Sequence, residues 1–461
     1  MSPGSRADVA PAPHGRLRRA RPPFRSLRRA AIVALMTSSA TRPASAPFPG
    51  PLSAGVAAAC DPPVMEARRW IAGRAFPADR PLLNLSQAAP VDPPPEDLRR
   101  AIAEAALHEP QAHLYGPVLG LPALREEIAA QWSAAYGGAI APEDVAVTPG
   151  CNQAFCAVMS TIAGPGDAVL LPTPWYFNHK MWLDITGVEA RPLPCDGALV
   201  PILAEAEARM QGVKAIVLIT PNNPTGAEYP AGVVEAFAEL AARHGAMLVI
   251  DETYRDFDSR EGAPHSLFQN PDWRDHLVHL YSFSKAYRLT GHRVGAAIAS
   301  PARLAQVEKF LDTVTICPSQ LGQFAALHGL RRLSDFVAGQ RTEILARRAI
   351  LEREFRQALP DWELMGCGAY FAWLRHPFAE SSADLAKALV EAQSLLMLPG
   401  TMFTPQGDPL GPQSFRMAFA NADAEGLRAA LARLAAFTAE HGASHGASHG
   451  AAHGAARGAP A

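Results

Sequence analysis

Paired cysteines are missing from this chain. Its six Cys lie at 60, 151, 156, 195, 317 and 367. None forms a Cys-x-x-Cys pair and no Cys/His group has zinc spacing, which excludes a zinc module and a disulfide scaffold. Isolated thiols suit a reducing, cytoplasmic setting. Long apolar runs are missing too. Nothing approaches the ~20 residues of a membrane helix, so no membrane partner is expected. Net charge is nearly absent, with Lys+Arg 42 against Asp+Glu 44 giving -2. It is unevenly spread: residues 1–30 hold eight Arg and one acid, a net +7, so the remainder carries -9. An acidic body argues against a nucleic-acid partner. What is plentiful is apolar: 48% of 461 residues are hydrophobic. That excludes a mainly disordered chain and suits one large α/β unit with a smaller one appended.

The two ends differ from the body. Residues 1–60 are rich in Arg, Ala and Pro. Arg28-Arg29, the apolar run Ala30–Met36 and Ala44-Ser45-Ala46 outline an export signal, and the acid-poor composition also suits a transit peptide. The run is short and the basic part long, so 1–60 is read as a disordered leader, with targeting left open. Residues 441–461 repeat His-Gly-Ala-Ser/Ala. The four-residue His spacing would share a helix face, but Gly in every repeat opposes a helix, so a flexible low-complexity tail is expected.

Between the ends, short apolar runs alternate with amphipathic stretches. Runs 145–148, 168–171, 215–220, 247–250, 277–281 and 294–299 read as buried strands. Stretches 152–163, 176–186, 231–244, 301–312 and 320–330 read as the helices between them. This predicts an α/β fold with a mostly parallel sheet covered on both faces, over 91–330. From 331 to 440 the pattern changes. A long helix from Ser334 to about 359, strand 369–374, helix 382–392, strands 395–398 and 415–419, and a last helix from Asp423 read as a smaller α+β domain. Residues 65–90 are expected to join it.

Parallel sheets place their sites at the carboxyl ends of strands. Four strands here end in polar clusters: Pro149-Gly150-Cys151-Asn152, Pro221-Asn222-Asn223-Pro224-Thr225-Gly226, Asp251-Glu252-Thr253-Tyr254, and Ser282-Phe283-Ser284-Lys285 with Arg293 beyond. Each alone is ordinary, a turn or a cap. Together they suit Schiff-base chemistry. A lysine made nucleophilic by burial and nearby cations would meet an aldehyde. A carboxylate would pair with a protonated ring nitrogen, and hydroxyls, an Arg and a helix start would hold a phosphate.

As a set, these motifs resemble the class I/II aminotransferases, pyridoxal-phosphate enzymes of fold type I. The similarity runs over about 65–440. The resemblance implies that Lys285 forms the Schiff base with pyridoxal 5'-phosphate and then moves protons. It implies that Asp251 pairs with the pyridinium, and that Tyr254 and Asn223 donate to the ring oxygen. Ser282, Ser284, Arg293 and the N–H groups at Gly150, Cys151 and Asn152 would hold the phosphate. Tyr176 would stack on the ring, with Trp175 as the fallback. His113-Leu114-Tyr115-Gly116 matches a segment whose Tyr reaches the neighbouring subunit's cofactor, which implies a homodimer with Tyr115 acting in trans. Ser414-Phe415-Arg416-Met417 matches the strand whose Arg binds the substrate α-carboxylate.

There are departures. Ala88 stands where the family has a Gly by that carboxylate, and Asn152 where some aspartate-using relatives carry Lys. Two side chains have open roles: His179 faces either the substrate or its own helix, and a helix start can lower the Cys151 pKa. The expected reaction moves an amino group from an amino acid to a 2-oxo acid. A carbon–sulfur β-lyase on the same fold is the alternative. A cofactor-binding DNA regulator is disfavoured, because 1–60 shows no helical apolar period. No second arginine can be placed opposite Arg416 from sequence, so a neutral or aromatic donor is expected.

Overall fold

Buried apolar runs set the architecture. The computed structural model describes residues 50–454, with side chains up to His441. The leader up to residue 49 and the last seven residues lie outside the described residues. The chain divides between Pro51 and Leu52, and among the described residues every strand and helix belongs to the unit from Leu52 onward. Among the described residues, thirteen strands form three sheets. In chain order they are β1 (Leu83–Asn84), β2 (Val145–Thr148), β3 (Ala168–Pro172), β4 (Glu189–Leu193), β5 (Val213–Ile219), β6 (Met247–Asp251), β7 (Leu277–Ser282), β8 (Gly295–Ile298), β9 (Glu363–Gly368), β10 (Phe371–Arg375), β11 (Leu395–Leu396), β12 (Leu398–Pro399) and β13 (Ser414–Met417).

The large sheet has the order β2-β8-β7-β6-β5-β3-β4. All neighbours are parallel except those of β8, which runs against both β2 and β7. Strands β2, β3, β6, β7 and β8 are buried at every position. The reason is that both faces are covered. Ile216, Leu218, Leu248 and Ile250 enter one apolar cluster with Phe237 and Leu240 of helix Ala231–Arg243. Their neighbours Ala215, Val217 and Val249 enter another, with Phe155 and Val158 of helix Cys151–Met159. Alternate strand residues point to opposite faces, so each face buries its own set.

Residues beyond 333 form the smaller, antiparallel sheet, ordered β12-β13-β10-β9. It packs in a third cluster through Phe371, Leu374, Phe415 and Met417 with helices Ser334–Ala358 and Ser382–Gln393. The early strand β1 pairs in parallel with β11.

Several elements differ from the expectation. The last stretch of the presumed leader is ordered: Ser53 caps a helix over Ala54–Ala58. The expected strand at 395–398 is two strands in two sheets, because β11 pairs with β1 while β12 pairs with β13. Strand β10 begins at Phe371 because Ala369, at φ 46°, lies in the turn of the β9–β10 hairpin. The apolar runs do not predict strands β4 and β9. Both are sheet edges with mixed exposure, and an edge strand has no need of a continuous apolar run. Finally, helix Ala424–Gly454 runs on through the His-Gly repeat, past the expected end at 440. Extending a helix already docked through Leu427, Leu431 and Leu434 avoids the cost of nucleation, and the Ala content offsets the Gly.

One contact joins the two sheets at backbone level. Gly226, at φ +77°, closes the 221–226 turn. A Cβ there would lie 2.4 Å from the Gly368 nitrogen and 2.5 Å from the Phe371 oxygen. A Cβ on Gly366 would meet the Thr225 oxygen at 2.5 Å. Three glycines thus let the turn cross the β9–β10 hairpin. Gly226→Ala is expected to lower stability by about 2–4 kcal/mol, combining backbone strain with overpacking. Gly245→Ala, at φ +63° in open space, should lose only the backbone part, roughly 1 kcal/mol. Urea unfolding of both variants checks this; equal losses would mean that the crossing is not tight.

Candidate active site

Register brings the polar strand ends together. Strands β5, β6 and β7 are parallel, with Ile219 opposite Asp251 and Asp251 opposite Leu280. Because β8 is antiparallel to β2 and β7, its first residue, Gly295, pairs with the last residues of both, Thr148 and Ser282. Arg293, two residues before β8, therefore reaches the same edge as Gly150, Ser282 and Lys285. Arg293, Ser282 and Lys285, with Cys151 next to Gly150, line a cavity of about 470 Å³.

Lys285 sits on a one-turn helix, Phe283–Ala286, that Ser282 caps through the Ser284 N–H. Its Nζ donates to the Ala88 carbonyl at 2.7 Å. Burial, then Arg293 and Arg416, push its pKa from 10.5 down to about 8. Asp251 lies deeper and is buried. Burial alone would raise its carboxyl, but the imidazole of His179 and the Thr253 N–H outweigh that and hold it below the usual carboxylate range. His179 Nε2 lies 3.5 Å from one carboxylate oxygen, and the Thr253 N–H donates to the other at 2.9 Å. His179 stacks flat on Phe155, centroids 3.8 Å apart. It therefore braces Asp251 and does not face the substrate space. The next residue, Glu252, points to the other side of β6. There it accepts from Tyr136 and lies 2.8 Å from His279 Nε2, wholly buried. This network anchors the strand end from behind.

Opposite the lysine is a cradle for an anion. The N–H groups of Cys151 and Asn152 open helix Cys151–Met159 and have no helical carbonyl to bond. Gly150, at φ 89°, precedes them; a Cβ there would lie 2.2 Å from the Arg293 guanidinium. Arg293 donates to Ser284 Oγ at 3.5 Å and to the Thr290 carbonyl at 3.1 Å. The Asn152 side chain is exposed and accepts from the Tyr176 hydroxyl at 3.3 Å. Cys151 does not have the lowered pKa expected of a helix start. Burial and the adjacent Asp251 push its thiol up, and Sγ lies 3.5 Å from Asp251 Oδ2.

At the far side Arg416, in β13, is 2% exposed. It donates to Asn223 Oδ1 at 3.0 Å and to the Ser86 carbonyl. The rings of Phe403 and Phe371 lie 4.8 and 5.0 Å from the guanidinium carbon. Its Nε has no partner, and among the described residues no carboxylate pairs with it. Burial lowers its pKa to about 10. A buried cation without an anion is costly, so its companion has to be a ligand.

The structure gathers most of the anticipated residues. Tyr176 and Tyr254 line the cavity, and burial keeps both phenols protonated, Tyr176 at about 12. Trp175 is packed in the core. Ala88 is buried and contributes its carbonyl, while Gln87 and Ala89 line the cavity. Tyr115 is 78% exposed and does not line the cavity. Thr253, from the Asp251–Tyr254 cluster, lines it as well, as do Gln87, Asn178 and Arg68, whose only signal is contact across the fold.

These groups fit a phosphorylated pyridine aldehyde. There is an amine of lowered pKa, a buried anion for a ring cation, a glycine-lined cradle of N–H groups with an arginine, and an orphaned guanidinium for a carboxylate. Sheet and site together are those of a fold type I, pyridoxal-phosphate-dependent enzyme. The chain belongs to the family described as Aminotransferase class I and II, which it matches over residues 80–434. It is 30% identical over 362 residues to the aspartate/prephenate aminotransferase of Thermus thermophilus, covering 77% of this chain and 90% of that one. It is 29% identical to the L-glutamine--4-(methylsulfanyl)-2-oxobutanoate aminotransferase of Bacillus subtilis, over 71% and 83% of the two chains. The solved aspartate aminotransferase of Thermus thermophilus with maleate superimposes with TM-score 0.76 at 26% identity, covering 84% of this chain and 99% of that one. The protein is a pyridoxal-phosphate-dependent transaminase.

The lysine has a direct test. Below pH 8 Lys285 is an ammonium ion and cannot attack, so capture of pyridoxal phosphate by the stripped protein should accelerate with pH and level off above about 8. The depressed pKa also means that burying this charge costs stability below pH 8, a cost relieved as pH rises toward 10.5. Stopped-flow absorbance across pH 6–11 reads the midpoint; one near 10.5 would show that burial and the two arginines do not act on the amine.

Proposed function

We propose that Lys285 is the catalytic amine of this transaminase and that the surrounding residues divide the remaining work. The observation that carries this is the lysine itself, in a cavity whose other charged groups each suit one part of cofactor or substrate. When bound, pyridoxal phosphate supplies an aldehyde and an electron-withdrawing ring that stabilises negative charge at the substrate Cα. Asp251, kept ionised by His179 and Thr253, holds a proton on the ring nitrogen. Tyr254 and the Asn223 amide donate to the ring oxygen, the Asn223 carbonyl being already taken by Arg416. Tyr176 packs on the ring. Ser282, Ser284, Arg293 and the N–H groups at 150–152 bind the phosphate. Arg416 binds the substrate α-carboxylate, a planar fork on a planar anion. Lys285, whose amine would hold the aldehyde, is the group placed to take up and return a proton at the substrate Cα.

The proposal includes a homodimer in which Tyr115 reaches the partner's phosphate site. Its exposure, 78% on a hydrophobic ring, supports this. It also includes a cytoplasmic location, supported by six unpaired thiols. The family shows transamination, and no observation favours the β-lyase route.

Lys285→Ala should abolish the visible absorbance of the lysine-bound cofactor and cut the half-reaction with amino acids by roughly 10²–10⁴-fold or more, the usual worth of acid–base catalysis. Retained absorbance and turnover would refute the assignment. Tyr115 is tested by mixing two variants. Lys285→Ala and Tyr115→Ala subunits, unfolded and refolded together, should regain up to about a quarter of wild-type activity, because each mixed dimer carries one intact site. If Tyr115→Ala alone is fully active, the residue does not serve the site; if that variant is impaired and the mixture shows no recovery, the residue acts within its own subunit.

A further inference from the structure

We propose that Arg68 is a specificity-determining residue that receives a second acidic group carried on the side chain of the amino donor; this rests on the division of roles above. Arg68 lies on helix Pro63–Ile71 and lines the active cavity. Its Nη2 donates to Gln87 Oε1 at 2.9 Å, and Nη1 meets only a weak acceptor, Met65 Sδ, at 3.9 Å. Among the described residues no carboxylate pairs with it, although its neighbour Arg69 pairs with Asp61 at 3.3 Å.

Its place in the cavity is set by three consecutive residues. The Ser86 carbonyl accepts from Arg416, the Gln87 side chain accepts from Arg68, and the Ala88 carbonyl accepts from Lys285. One short segment thus ties together the group that binds the α-carboxylate, the amine at the reacting carbon, and Arg68. Arg68 therefore belongs to the substrate end of the cavity and not to the phosphate cradle at Gly150.

Charge balance selects the ligand. The cavity is lined by three cations, Arg68, Lys285 and Arg293, and one carboxylate, Asp251, with Arg416 behind Asn223. Arg293 answers the phosphate, Arg416 the α-carboxylate and Asp251 the ring nitrogen. Arg68 is the cation left over. The polar side chains that line the cavity with it, Gln87, Asn152 and Asn178, are neutral. Arg68 is exposed, gives Nη2 to Gln87 and has only the Met65 sulfur at Nη1, so a carboxylate entering the cavity is the anion it can pair with. A carboxylate matches its fork and a neutral or aromatic side chain does not. The donor and its oxo-acid product are then dicarboxylic, contrary to the expectation from sequence.

The test uses holoenzyme, with Arg68→Gln and Arg68→Lys beside wild type. The half-reaction is followed with L-glutamate, L-aspartate and L-alanine, and binding of succinate and propionate is measured by calorimetry. Wild type should prefer the acidic donors and succinate. In Arg68→Gln the ratio of kcat/KM for glutamate to that for alanine should fall roughly 10- to 100-fold, as expected for loss of a charged hydrogen bond, mainly through KM, with a parallel loss of succinate affinity. Arg68→Lys should recover part of both. An unchanged ratio in Arg68→Gln, or a wild-type enzyme that converts alanine as readily as glutamate, overturns the inference and leaves the transaminase site standing. A wild-type enzyme that holds the cofactor but converts no amino acid overturns the site reading, and this inference with it.

Discussion

The cavity holds more positive charge than the protein's own acids neutralise there. Among the described residues no carboxylate pairs with the buried Arg416, Lys285 is desolvated near it, and Arg293 and Arg68 complete the excess. Inside a protein such an excess is stable only if it is offset by ligands, and here the ligands are anions: a phosphate and a carboxylate. The same excess lowers the lysine's pKa and so prepares the nucleophile. Binding and reactivity thus share one electrostatic cause. Asp251 is the counterweight. It remains ionised in the interior only because His179 and Thr253 hold it so, and His179 is itself pinned against Phe155.

That electrostatic arrangement depends on backbone placement. The residues around the lysine come from the strand ends of the large sheet and from the segment that follows β1, itself paired with β11. Gly226, Gly366 and Gly368 let the turn carrying Asn223 press against the hairpin beside β13, where Arg416 sits. Glu252, on the reverse face of β6, ties the strand end into a buried network with Tyr136 and His279. Neighbouring acids on one strand therefore do different work: Asp251 faces the cavity, and Glu252 fastens the strand that presents it. Strand alternation makes this division possible.

Much of this was legible in the sequence. Short, largely apolar runs such as 247–250 and 277–281, bounded by turn residues and alternating with helical stretches, read as strands buried on both faces, which puts the polar residues just beyond them at one edge. Edge strands β4 and β9 escaped notice because exposure relaxes the apolar pattern. The split of 395–398 between two sheets was hidden for a different reason. One apolar run of four carries no information about which partner each half will find. Cys151 shows the limit of local rules: a helix start favours a thiolate, but burial, and then Asp251, remote in sequence, reverse the outcome.

The sequence by itself determined the chemistry: a Lys after a strand, an Asp ending its neighbour, an Arg in a late strand, each motif bound to a short local geometry. The tertiary structure alone decided how these groups stand toward one another. It put His179 behind Asp251 and not before the substrate, left Arg416 without an acid, and carried Arg68 from an early helix to the cavity wall through Gln87. The physical reason is that strand ends and turns are specified by nearby residues. Burial, charge pairing and the identity of a facing side chain are properties of contacts between segments separated in the chain, and no local pattern encodes them.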